Sequence, residues 1–69
     1  MRFRLVLYDT DKDNKFEAEF RYEYFGNQQS IWNLWWLLTN SLHKKHVEVF
    51  NLAGTKCNPG RGEMPDYNV

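Results

Sequence analysis

This chain has almost nothing with which to staple itself together. Cys57 is the one cysteine among 69 residues, so no internal disulfide can form. Cysteine and histidine pairs at the fixed spacing of a structural zinc site are missing as well. The lack matters, because a domain near this size buries only about 60% of the surface its unfolded chain exposes. Ordering the chain costs roughly 1.5 kcal/mol per residue. Burial has to come from three Trp, four Tyr and five Phe, each offering on the order of 150–250 Å².

An excess of either charge is also absent: nine basic and nine acidic residues leave a formal charge of zero. A duplex-binding protein normally carries a basic surplus to neutralise phosphates, and a nucleic-acid mimic carries the reverse, so nucleic acid is a disfavoured partner. The apolar run around Trp35 to Leu38 falls far short of the ~20 residues that cross a bilayer, and no membrane association is expected. Met1-Arg2-Phe3-Arg4 leads straight into strand-like alternation without a secretory apolar region. With a lone thiol, the expected compartment is the cytoplasm.

What is present is clear periodicity. From Arg2 to Tyr8, Phe3, Leu5 and Leu7 alternate with Arg4, Val6 and Tyr8, the period of a strand. From Lys15 to Phe25, Phe16, Ala18, Phe20, Tyr22 and Tyr24 alternate with Glu17, Glu19, Arg21 and Glu23. The turn-forming stretch Asp9 to Asn14 joins them. A two-residue turn at Asp13-Asn14 sets Leu7 opposite Phe20, Leu5 opposite Tyr22 and Arg4 opposite Glu23, an opposite-charge pair. Asp-Asn is less favourable than Asn-Gly in such a turn, so a longer loop in a shifted register is the alternative.

Ser30 is the expected N-cap of a helix running from Ile31 to about Lys44, with Ile31, Leu34, Trp35, Leu38 and Leu42 in one apolar sector. His43, Lys44 and Lys45 place cations where the helix dipole favours them. His46 to Leu52 reads as a third strand, apolar on both faces and therefore of open register. The expected fold is α+β: two layers in β-β-α-β order, a three-stranded antiparallel sheet of order 2-1-3 with one helix on one face. Residues 1–54 form the domain. Residues 55–69, with Pro59, Gly60, Gly62 and Pro65 and no periodicity, form an irregular C-terminal tail or loop.

No motif for catalysis, a cofactor or a metal stands out. Asp9, Asp11 and Asp13 resemble the start of a calcium loop, but the sixth position is Asn14 and the twelfth is Phe20, where such loops need Gly and Glu. A solvated turn outweighs it. His43, His46, Cys57 and Asp66 lack paired zinc spacing. Gly54 to Gly62 has glycines and cations but not the phosphate-loop pattern, and a flexible segment explains it better. No nucleophile–base pair is legible, so the chain is expected not to be an enzyme, with no cofactor.

Two surfaces draw a functional expectation. Beside the core sector the helix carries Trp32, Trp36 and His43, and Trp36 projects about 140° from Ile31. Aromatic anchors in a polar surround are the substance of interaction hot spots. Met64 and Tyr67 of the tail either cover this side or frame a groove with it. The favoured reading is a small non-enzymatic protein-interaction module, an accessory or inhibitory factor of the kind phages encode, whose partner is another protein. The alternative is a single-strand nucleic-acid binder using Arg4, Tyr8, Arg21 and Phe50 on the outer sheet face, where bases stack on aromatics. Four acids against three bases there argue against it. A homo-oligomer, at its simplest a homodimer, is the third reading.

Overall fold

A computed structural model describes residues 2–57. Strands β1 (Arg2–Asp9), β2 (Phe20–Asn27), β3 (His46–Asn51) and β4 (Lys56–Cys57) form one antiparallel sheet in the order β2-β1-β3-β4. Helix α1 (Gln28–Trp36) continues directly from β2. The expected α+β architecture and the neighbours of β1 are therefore present. Beyond the three expected strands the sheet carries a short fourth one, β4, at the start of the segment read as an irregular tail or loop. Asn51 N–H donates to the Thr55 carbonyl at 3.0 Å and Gly54 N–H to the Asn51 carbonyl at 3.0 Å. Gly54 adopts φ 86°, a left-handed conformation that glycine takes without steric cost, and the chain turns back onto β3.

The first hairpin keeps the expected faces but slips by two residues. Leu7 lies opposite Tyr22, Leu5 opposite Tyr24 and Arg4 opposite Phe25. The cause is local. Lys15–Glu17 forms a turn of 3-10 helix instead of strand, capped by the Asn14 side chain, which accepts from Phe16 N–H at 3.0 Å. The loop is longer than two residues, and a two-residue slip preserves which side chains face the core. Arg4 and Glu23 still meet, diagonally, at 3.2 Å.

On one face, Phe3, Leu5, Leu7 and Val49 of the sheet pack against Ile31, Trp32 and Leu38 of the helical layer. Leu34, Trp35, Val47 and Cys57 flank this core. The helix starts earlier than expected because its N-cap is Asn27, whose Oδ1 accepts from Ser30 N–H at 2.8 Å. It also ends differently. Residues Leu37–Ser41 form a wider π-helical turn in which Leu42 N–H donates to the Leu37 carbonyl at 2.9 Å. The Thr39 hydroxyl donates to the Trp35 carbonyl at 2.7 Å, a side-chain bond that competes with the helical ladder. The extra residue in the turn rotates Leu42 away from the sheet. It was expected in the core sector and is 54% exposed.

Candidate interaction surface

The outer face of the sheet is occupied by its own charges. Val6 lies between Glu23 on β2 and Glu48 on β3 and is buried. Glu23 accepts from Arg4 at 3.2 Å and from Arg21 at 3.1 Å. Glu48 accepts from Lys15 at 2.8 Å, with Lys56 at 3.4 Å. Burial alone would raise the Glu48 carboxyl, but the hydrogen bond and charge of Lys15, helped by Lys56, hold it below the ordinary carboxylate range. The same bond raises Lys15. Sequence reasoning did bring Arg4, Tyr8, Arg21 and Phe50 to one face. Yet Arg4 sits over the Phe50 ring at 5.0 Å, and Arg21 and Lys15 lie over Tyr8 at 5.8 and 5.2 Å. Their cations are paired, and the rings meet cations of the same chain in place of bases.

The acidic turn is likewise engaged. Lys44 donates to Asp9 at 3.0 Å, Lys45 bonds Asp13, and His46 Nε2 lies 2.6 Å from the Lys12 carbonyl. A carbonyl only accepts, so His46 carries its proton on Nε2. Among the described residues no group of three or more His, Cys, Asp or Glu side chains is gathered as a metal site would need. Asp66 lies outside them. A shallow groove of about 290 Å³ is lined by Arg4, Phe25, Asn51, Leu52, Ala53 and Gly54, which include no carboxylate and no histidine to act as acid or base.

Trp32 is only 7% exposed, with its ring edge-on to Phe3 at 5.0 Å and 74°. Because α1 follows β2 without a linker, its first turn is held at the strand end and the buried arc widens to take this indole. Trp32 is thus a core residue. Trp36 is half-buried, and its Nε1 is covered without a hydrogen-bond partner among the described residues. His43 is exposed, and its φ of 54° marks it as the residue that ends the helical segment. Lys44 N–H closes back onto the Leu38 carbonyl at 2.7 Å, in the manner of a Schellman closure widened by one residue. Met64 and Tyr67 lie outside the described residues.

The surface that sequence reasoning missed is on β2. Phe20, Tyr22 and Tyr24 point to the helix face, as their alternation requires, but remain 56%, 42% and 39% exposed. The Phe20 and Tyr22 rings stack with centroids 6.4 Å apart at 22°. A helix about 10 Å across covers two strands spaced about 4.8 Å apart; the buried side chains beneath it come from β1 and β3, and it meets β2 near Gly26, which lies against Ser30 and Ile31. The Phe20–Tyr24 part of β2 is left without cover from the described residues. It is also an edge: β1 pairs with it on one side, and no strand of the described residues pairs on the other. Its pairing with β1 runs without a bulge from Asn27 to Phe20, and it contains no proline. Bulges and prolines are the usual devices that blunt an edge against association. The signal was available in the expected order 2-1-3, which already made this strand terminal.

No helix of the described residues is long and apolar enough to cross a membrane. Comparison with protein-family models, with curated proteins and with solved structures finds no match for this chain.

Proposed function

We propose that this chain is a small non-enzymatic protein-interaction module that receives an extended polypeptide segment along the open edge of β2. The observation that carries the reading is one eight-residue strand combining three half-exposed rings in a row with a backbone edge on which no strand of the described residues pairs. In strand addition the backbone hydrogen bonds supply affinity and alternate side chains supply specificity. Phe20, Tyr22 and Tyr24 are the alternate side chains here. Arg21 and Glu23 on the opposite face bias the charge of what docks. The helix side contributes less, since Trp32 is spent on the core.

Selection of extended peptides against the immobilised protein tests this. The expected winners alternate apolar residues and lose binding to Tyr22→Glu by about tenfold or more, while Trp36→Ala retains them. Selected peptides that bind Tyr22→Glu as well as the parent would rule the reading out.

A further inference from the structure

The open edge of β2 is complementary to itself, and the geometry points to a second copy of this chain as an occupant, paired two-fold about Tyr22. This rests on the reading of β2 as a docking edge and names its partner. Laid antiparallel on itself about Tyr22, the segment Phe20-Arg21-Tyr22-Glu23-Tyr24 places Arg21 opposite Glu23 of the second copy, and Glu23 opposite its Arg21. Phe20 falls opposite Tyr24 in both directions, and Tyr22 meets Tyr22. Opposed residues in an antiparallel pair share a face. The aromatic rows therefore join on the helix side, the ion pairs lie on the outer face, and two four-stranded sheets become one continuous sheet.

Neighbouring registers are worse. Centring on Arg21 or on Glu23 opposes like charges, and centring on Tyr24 opposes Glu23 with Phe25. A slip by one residue sets the aromatic face of one copy against the ionic face of the other. Only the Tyr22-centred register matches both patterns at once. The Arg21–Glu23 bond within one chain, 3.1 Å, is exchanged for its equivalent between chains, so charge selects the register while the rings supply the attraction. The closed, isologous geometry ends at two copies. Six half-exposed rings amount to on the order of 600 Å² of aromatic surface, below the roughly 1,200 Å² at which stable interfaces begin. The dimer is accordingly a weak one that dissociates on dilution.

Sedimentation of Arg21→Glu and Glu23→Arg, alone and mixed, tests the register directly. Wild type is expected to show a reversible monomer–dimer equilibrium between micromolar and millimolar concentration. Each variant alone opposes like charges twice and weakens by about tenfold or more. Their equimolar mixture restores opposite-charge pairs at both positions and recovers association as a heterodimer. Wild type that stays monomeric at millimolar concentration, or a mixture no better than its components, overturns the proposal. Should Glu23→Arg unfold through repulsion from Arg4, Tyr22→Glu sets two carboxylates face to face on the axis and must yield a monomer; a persisting dimer then refutes the register. A monomeric wild type whose β2 still binds selected peptides removes the self-pairing alone, whereas a dimer that takes no foreign peptide removes the broader function.

Discussion

Trp32 and Trp36 stand four residues apart on one helix and do different things. Trp32 fills the space above Phe3 and belongs to a core of seven buried members on that face among the described residues. Truncating a buried indole costs about 3–5 kcal/mol, a large share of the stability of so small a domain. Trp32→Ala should leave the chain largely unfolded by circular dichroism at room temperature, and Trp36→Ala should melt as a folded protein with a modestly lowered midpoint. Projection at a fixed angle per residue put both indoles in one stripe. What it could not contain is the direct passage from β2 into α1, which widens the buried arc at the helix start.

Glu48 carries a second expectation. Its carboxyl is held below the ordinary 4.5 by Lys15 and Lys56 despite the opposing effect of burial. A carboxylate with a depressed folded value contributes stability that is complete above its unfolded value and is lost as pH falls through the folded one. Thermal stability should therefore decline as pH drops below about 4.5. Glu48→Gln should start lower at neutral pH and lose less on acidification; an unchanged acid limb in that variant would mean the Lys15–Glu48 pair is not its source.

Among elements, α1 shows how one side chain sets a boundary. Ser30 has the right chemistry for an N-cap, but Asn27 takes the position because β2 runs that far and its Oδ1 reaches Ser30 N–H. Replacing an N-cap by Ala costs about 1 kcal/mol. Asn27→Ala should lose that much in a denaturant melt and Ser30→Ala only a fraction of it; equal losses would place the cap elsewhere. The far end of the helix was less legible. Nothing in the residue pattern separates a π-helical turn from an α-helical one; the wider turn is accompanied by the Thr39 hydroxyl bond to the Trp35 carbonyl. Leu42 shows the consequence, an apolar residue in the right phase of an ideal helix that ends up in solvent.

At the scale of the molecule, the strand alternation, the helix between second and third strands and the central place of β1 were all readable, because periods of two and 3.6 report which face is buried. The register was readable only modulo two residues. Faces constrain parity, while the 3-10 turn at Lys15–Glu17 decides the slip. The candidate site was hidden for a related reason: alternation says which way Phe20, Tyr22 and Tyr24 point, but not whether a helix lies over them. Among the described residues, one helix on four strands leaves the rings of an edge strand exposed, and that shortage of cover is the basis of the docking surface proposed above.

Residue-resolved amide exchange at increasing protein concentration is the most direct test of where association occurs. Outward-facing amides of β2 should slow as concentration rises, while those of β4 and α1 keep their dilute-solution rates. Protection that grows instead along β4 or the helix side, with β2 exchanging at one rate throughout, would contradict the assignment of β2 as the docking edge.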